Sequence, residues 1–563
     1  MGVCSHLHLH LLPFTDNNPL LFPRHYHKST NKNTLHFQFS QFSKKRYLAG
    51  SKLFLKHQFG GVWRVGMAAV EAETEERFLE EPAAKPGSLG KAVVVGAGPA
   101  GCLMTLYLLR RGFHVHVFER RSMMDEAKLK GDPRSYPILL TRRGIGAIEA
   151  VGLEVPSSLL KNQVGNCAHL LSGKKVKLDY YSGPGIQSKV ASRNALVAFL
   201  QQSLLQRVSE NLALYFGWEV STIDDEKSTA KFCRNQKYSS EAETNEQDNQ
   251  DEIEVEFDLL IGADGVSSKV RSEILRLDQA NASESDNHKS HITLDYIDNP
   301  RMYKSFYVRP SLAKESPFIV DHNRVQAWRS LNMMLINVAD GSFWGGTLNE
   351  ELVNASSPPD VIRIFRDKAP EVLDLLLHEN PNFAEEFCRQ SKMRGGGAVM
   401  LSQFHYKNIV LIGDAAHGMF PTYGTGCNAA LEDCAILDKI LQELTPSDGR
   451  QNIPYHLVSA EFTKRRIEDA HAIVEMNTNF ILFPRNTLGI IQSAFLRTLH
   501  KWFPKIFRPT AHQLLWTETR FSEIRAKKYN EDLFFYGILV ILGLIVTFSI
   551  VILLKKLTSV KSL

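Results

Sequence analysis

The 563-residue chain lacks most signatures of a specialised class. Its seven cysteines lie scattered at positions 4, 102, 167, 233, 388, 427 and 434. No pair has zinc-site spacing, so no metal is expected, and a chain this long needs no disulfide framework. The pattern reads as a reduced, intracellular protein. A basic face is missing too: the net charge is only +5 and comes mostly from the two ends, which argues against a nucleic-acid partner. There is no internal repeat, so a repeat architecture is excluded. Acidic residues are almost absent from residues 1–70, where Asp16 stands alone against nine Lys and Arg. No uninterrupted apolar run there leads to a small-residue cleavage site, which excludes a secretory signal.

What is present is more informative. Hydrophobic content of 44% and charge of 23% are those of a globular protein with two or three domains. The basic, His-, Ser- and Asn-rich residues 1–70 read as an organelle transit peptide. The alternatives are an unprocessed disordered tail or translation from Met67. With no Arg among the first residues and no clear amphipathicity, a plastid is favoured over a mitochondrion. At the other end, Leu533–Leu554 contains no charged residue. About 20 apolar residues span a bilayer as a helix, so this stretch is expected to be a single-pass membrane anchor. Arg525, Lys527 and Lys528 precede it and Lys555 and Lys556 follow, leaving its orientation weakly determined. Between the ends lie two polar stretches, Ser239–Glu256 and Gln279–Ser290, expected as exposed loops or a hairpin tip. Aromatic and β-branched runs from about 300 to 350 suggest an antiparallel sheet. The pattern after Ala429 is mostly helical.

Three stretches carry chemistry. In "AVVVGAGPAGCLMTLYLLRRGFHVHVFERR" (Ala92–Arg121) a strand leads into Gly96, Gly98, Ala100 and Gly101, then a helix, then a second strand ending at Glu119. Gly96 permits the tight turn, and Gly98 lets a pyrophosphate approach the helix N-terminus. Gly101 lets helix and strand pack, and Glu119 is placed for ribose hydroxyls. The pattern predicts dinucleotide binding without separating FAD from NAD. In "FDLLIGADGVSSKVR" (Phe257–Arg271) a strand ends at Asp264, which by itself is also the pattern of an ordinary capped helix. In "IVLIGDAAHGMFPTYGTGCNAALED" (Ile409–Asp433) a buried strand crosses a Gly- and Pro-rich turn into a helix, so something must lie close to that backbone.

In this order the three stretches resemble the FAD-dependent aromatic monooxygenases with one dinucleotide fold. Within them, the kynurenine 3-monooxygenases are the closer match. "AIEAVGL" (Ala147–Leu153), "HLLSGKK" (His169–Lys175), "SRNAL" (Ser192–Leu196), "LEDC" (Leu431–Cys434), "VEMN" (Val474–Asn477) and "RFSEIR" (Arg520–Arg525) extend the resemblance over roughly residues 90–555. It implies an α/β chain, α+β overall. A Rossmann-type FAD-binding domain (88–190, 191–275 and 396–445) would be interleaved with an antiparallel substrate domain (276–395), followed by a helical region (446–530) and the transmembrane helix (533–554). It implies non-covalent FAD held by Gly96, Gly98, Ala100, Gly101, Glu119, Arg193, Asp264, Gly413, Asp414, Gly424, Gly426, Cys427 and Asn428. Asp414 would meet the ribityl chain, and the loop Pro421–Asn428 would lie along the flavin ring. NADPH and O2 would be co-substrates, and a flavin C4a-hydroperoxide would oxygenate an aromatic or lipophilic small molecule. Pro421, Thr422, Tyr423, Gly424 and Thr425 would line the reacting side. His417 is read as structural.

The resemblance breaks where those relatives hold an amino-acid head group. Asn166 stands at the position of their Arg, Ala472 at that of an Asn, and Trp516 at that of a Tyr. Tyr180 is kept, and the loop's Gly-Gln-Gly is Gly424-Thr425-Gly426. Asn cannot replace a bidentate guanidinium, so a neutral phenolic, indolic or isoprenoid substrate is expected rather than a free amino acid. Blander readings stand beside these: Tyr180 and Trp516 as core aromatics, Asn166 as a turn residue. A true kynurenine 3-monooxygenase, a reductase or epoxidase of isoprenoids, and a flavoprotein without turnover are the alternatives.

Overall fold

Ala92–Val95 is an uninterrupted apolar run, and its residues are almost wholly buried. Such a run suits a parallel strand covered on both faces. In the computed structural model it occupies the centre of a seven-stranded sheet. The structure describes residues 62–64, 89–124, 136–163, 165–169, 174–179, 188–207, 211–235, 252–283, 291–308, 324–446, 453–482 and 487–560. Tyr180, almost all of residues 1–70 and the polar stretch up to residue 251 lie outside them.

The sheet runs Val62–Arg64, Leu212–Phe216, His114–Glu119, Lys91–Val95, Leu259–Gly262, Ile409–Leu411, His405–Tyr406. The five inner strands are parallel, and the two edge strands are antiparallel. Val62–Arg64 belongs to the segment expected as a leader, yet it pairs with Leu212–Phe216, because an open edge accepts any extended backbone. The helix Pro99–Arg111 covers one face. Pro99 begins it where no N–H is needed, and Gly112, at φ 90°, ends it.

A second seven-stranded sheet runs Met393–Arg394, Met302–Val308, Phe343–Thr347, Met333–Asn337, Arg324–Trp328, Gly165–His169, Lys175–Asp179. Two of these strands come from the stretch 88–190 that the sequence reading assigned to the dinucleotide domain. Gly165–His169 pairs parallel with Arg324–Trp328, a partner 159 positions away, and local periodicity carries no trace of such pairing. One face packs on helices Pro358–Lys368, Pro370–Glu379 and Phe383–Arg389 through Phe306, Phe365, Phe383 and Phe387. Each buried aromatic contributes roughly 1.5–3 kcal/mol. The other face presents Val325, Ala327, Met334, Ile336 and Trp344 to a separate cluster that also holds Tyr423, Ala472 and Trp516.

Of the polar stretch Ser239–Glu256, the described end Glu252–Glu256 is a strand paired antiparallel with Thr229–Arg234. At the C-terminal side, Phe521–Val560 forms one continuous helix. Its first turns are buried against Tyr455–Thr478, with Phe521 and Ile524 fully covered. Phe535 is still covered, but from Val540 to Leu554 the apolar side chains stand exposed, and Phe521–Leu554 is long and apolar enough to cross a membrane.

Candidate functional site

The three glycine-rich stretches meet at the carboxyl ends of adjacent parallel strands, Lys91–Val95, Leu259–Gly262 and Ile409–Leu411, where open α/β sheets bind ligands. Packing explains two of the glycines. A Cβ on Gly96, whose φ is 105°, would lie 2.4 Å from the Ala263 carbonyl oxygen, and one on Gly101 would lie 1.8 Å from the Gly96 carbonyl oxygen. Gly98 differs: a Cβ there would meet nothing within 4 Å. That gap opens at the N-terminus of Pro99–Arg111, where unpaired N–H groups suit a pyrophosphate. Glu119 accepts the Ala97 N–H at 2.8 Å and the Arg121 N–H at 3.0 Å, which fixes its carboxylate at the edge of the same loop.

The second stretch braces the third. Asp264 accepts hydrogen bonds from Ser268 Oγ at 2.6 Å and the Lys269 N–H at 2.7 Å, so its carboxylate caps the helix Lys269–Ser283. Arg271 donates to the carbonyls of Val266 at 2.6 Å and Ala415 at 2.9 Å, tying that helix to the Gly413–His417 turn. Gly413 takes φ 59° there and donates its N–H to Asp433 Oδ2 at 2.8 Å. The same carboxylate oxygen meets His417 Nε2 at 2.6 Å. Arg466, inside the protein, donates to Asp433 Oδ1 at 2.6 Å. Burial would raise the Asp433 carboxyl, but His417 and Arg466 hold it below the usual range.

Asp414 itself faces a cavity of about 320 Å³. Its carboxylate makes no hydrogen bond among the described residues. Burial raises its pKa against the pull of His417 and Arg193. A carboxylate so placed suits a hydroxyl donor such as a ribityl chain. Pro421, Gly424, Gly426 and Cys427 line the same cavity. The helix Gly426–Leu444 begins there, so its unpaired first-turn N–H groups provide the positive end of a dipole. The Cys427 thiol is pushed up to about 12 by burial and stays protonated. Arg193 begins the helix Arg193–Gln206 and lies over Tyr136, another cavity residue, at 5.9 Å from the ring centroid.

Other residues singled out from the sequence lie behind the cavity surface. Asn428 is buried: its Oδ1 accepts the Thr141 N–H at 2.8 Å, and its Nδ2 donates to the Leu139 carbonyl at 2.7 Å. It thereby pins the helix start to the neighbouring turn. Ala100 accepts the Cys434 thiol at 3.3 Å through its carbonyl. Tyr423 and Thr425 are covered, and the Tyr423 hydroxyl accepts the Leu482 N–H at 2.8 Å. Ala472 and Trp516 are fully buried in the cluster behind the loop. Asn166 is a strand residue rather than a turn residue, paired with Val325. It is buried, and its Oδ1 has no donor among the described residues.

Three residues given no role by the sequence reading organise the loop and its surroundings. Asn477 holds the loop from below: its Oδ1 accepts the Tyr423 N–H at 3.1 Å, its carbonyl accepts Thr422 Oγ1 at 2.7 Å, and its Nδ2 reaches Thr425 Oγ1 at 3.3 Å. Arg466 and Asp433 form the buried pair beneath the Gly413–His417 turn. Asn477 and Asp433 fall inside stretches that carry the family resemblance, which is the one signal that marked them.

The family model described as "FAD binding domain" matches residues 90–317 and 364–453. Kynurenine 3-monooxygenase of Sus scrofa is 26% identical over 470 residues, covering 80% of this chain and 90% of that protein. The Chaetomium globosum kynurenine 3-monooxygenase is 27% identical over 485 residues, covering 78% and 94%. Among solved structures, 2-methyl-3-hydroxypyridine-5-carboxylic acid oxygenase is similar with a TM-score of 0.50 at 16% identity, covering 76% of this chain and 95% of that one. Klebsiella pneumoniae HpxO complexed with FAD and uric acid is similar with a TM-score of 0.50 at 16% identity, covering 78% and 96%. At such identities these two structures bear on the fold alone.

Proposed function

This chain belongs to the FAD-binding domain family, and from that premise we propose that it is an NADPH- and O2-dependent FAD monooxygenase of a small aromatic compound. The observation that carries the proposal is that one cavity has two unlike walls. One wall is the cradle built by Asp414, Gly424, Gly426 and Cys427; the other is the apolar face of the antiparallel sheet, with Met334, Ile336 and Trp344. Cofactor and organic substrate can therefore meet face to face. The kynurenine 3-monooxygenase relatives support the same reaction class.

Bound FAD supplies the redox chemistry, taking up hydride from NADPH and activating O2. The chain's own residues position it. Gly98 would leave room for the pyrophosphate, Asp414 would accept from a ribityl hydroxyl, and the first-turn N–H groups of Gly426 and Cys427 would favour negative charge on the reduced ring. Pro421, Phe420, Met334 and Trp344 exclude water, which keeps reducing equivalents from being lost as H2O2. The exposed apolar half of Phe521–Val560 serves as a membrane anchor, and the basic N-terminal segment directs the protein to a plastid.

The test is a detergent-purified protein with its substrate, NADPH and labelled O2. The expected result is a yellow chromophore released by acid precipitation and one labelled oxygen atom in the product. Reduction of an alkene without O2 would establish a reductase instead.

A further inference from the structure

Asn299, Arg301 and Tyr303 all line the cavity. Tyr303 lies in the strand Met302–Val308, and Asn299 and Arg301 sit in the segment that leads into it. The Arg301 guanidinium has no ion-pair partner among the described residues. The guanidinium lies 5.4 Å from the centroid of the Phe480 ring, while the Arg301 backbone N–H donates to Asn299 Oδ1 at 3.1 Å. Glu350 influences it only from a distance. The other cavity arginine, Arg394, differs in being paired with Asp298 at 2.9 Å. Asp414 is the one carboxylate among the cavity-lining residues described, and it belongs to the cofactor cradle. Among the described residues the cavity thus holds a guanidinium without a carboxylate partner, in a wall that is mostly apolar.

Its position is near the reacting end. A Cβ on Gly395 would meet Asn299 Nδ2 at 2.7 Å and Pro421 Cδ at 3.9 Å, so the Asn299 end of this segment abuts the Pro421 loop. Trp344, Tyr303 and Phe420 provide aromatic surface around it. Asn166 lies elsewhere on the same sheet. It shares a face with Val325, Ala327 and Met334, several strands from Arg301, and brings no charge.

We propose that Arg301 is the substrate clamp of this cavity and that the substrate is an aromatic or heteroaromatic monocarboxylate without an ammonium group. This rests on the monooxygenase reading above and replaces the neutral substrate expected from Asn166 alone. A guanidinium binds a carboxylate through two parallel N–H donors, which satisfies the cavity's unmatched charge. An amino-acid head would bring an ammonium group for which the cavity offers no carboxylate beyond Asp414.

The test uses the full-length FAD-loaded protein in detergent. 2-Hydroxybenzoate, 4-hydroxybenzoate and anthranilate, each beside its primary amide, are titrated while flavin absorbance is followed. At least one acid should perturb the flavin more tightly than its amide. Arg301→Gln should weaken that acid roughly 10–150-fold, the range of a charge-assisted hydrogen bond, and weaken its amide much less. Arg301→Lys, which keeps the charge without the fork, should fall between. Flavin content and circular dichroism check that the variants are folded. Three results overturn the clamp: acid and amide binding equally, neither perturbing a protein that retains FAD, or Arg301→Gln raising only the KM for NADPH, which would make Arg301 a dinucleotide contact. A wild-type protein that holds no FAD overturns the functional reading beneath it instead.

Discussion

Replacing Arg466 with Met tests the buried charges beneath the cofactor turn. The Arg466 side chain is 1% exposed and meets Asp433 at 2.6 Å, Glu432 at 2.8 Å and Asp469 at 3.9 Å. Asp433 holds the Gly413 N–H and His417, while Asp469 accepts Ser522 Oγ at 2.5 Å at the start of the C-terminal helix. One guanidinium therefore joins the cofactor turn to the helix that leads into the apolar span. Met keeps the length and removes the charge. Breaking a buried pair by removing one partner costs about 3–5 kcal/mol, against a total stability of about 5–15 kcal/mol. For a folded body of this size the apparent Tm should fall by roughly 3–6 °C. The loss should depend on pH. In the native protein Asp433 is held below the usual carboxylate range, so its contribution is present above the unfolded pKa and fades only in acid. Without Arg466 the pull against burial weakens and that pKa rises. A raised carboxyl contributes least at high pH, so the gap between variant and wild type should widen from pH 5 to pH 8. Adding Asp433→Asn should recover part of the loss, since no carboxylate is then stranded. Thermal melts followed by flavin fluorescence measure this. An unchanged Tm at pH 7.5, or an offset independent of pH, would refute the reasoning.

Four further outcomes are expected. Asp414→Ala should weaken FAD binding roughly 10–150-fold, the range of a charge-assisted hydrogen bond, measured by equilibrium dialysis; unchanged affinity would remove Asp414 from the cofactor site. Gly101→Ala should abolish flavin binding, because its Cβ would collide with the Gly96 carbonyl oxygen at 1.8 Å; normal flavin content would show that the loop can shift. Truncation after Asp532 should give a soluble flavoprotein, whereas truncation after Arg520 should not fold, since it removes the fully buried Phe521 and Ile524; sedimentation of the shorter loss with membranes would point to another anchoring surface. A fluorescent fusion carrying residues 1–70 should enter plastids, and a cytosolic or mitochondrial signal would reject that address.

Features that depend on a few neighbouring residues were legible in the sequence. Gly96, Gly98 and Gly101 announce a cofactor turn because backbone sterics act within one loop. Gly413, Asp414 and Gly424–Cys427 announce the second turn for the same reason. The apolar span needs nothing beyond its own composition. Substrate-facing residues were another matter. Trp516 and Ala472 were read as pocket residues, yet packing places them behind the loop. Asn428 has the look of a cofactor contact, yet both ends of its amide are engaged by Thr141 and Leu139. Arg301 drew no notice, since a lone Arg after a Pro is unremarkable until Asn299 and Tyr303 are seen beside it in one cavity. Arg466 likewise reads as one basic residue on a polar helix face until Asp433 and Asp469 close around it. Backbone conformation is decided by atoms a few bonds apart, which sequence order preserves. Burial, charge pairing and the shape of a cavity are decided by side chains brought together from hundreds of positions away, and only the tertiary structure specifies those encounters.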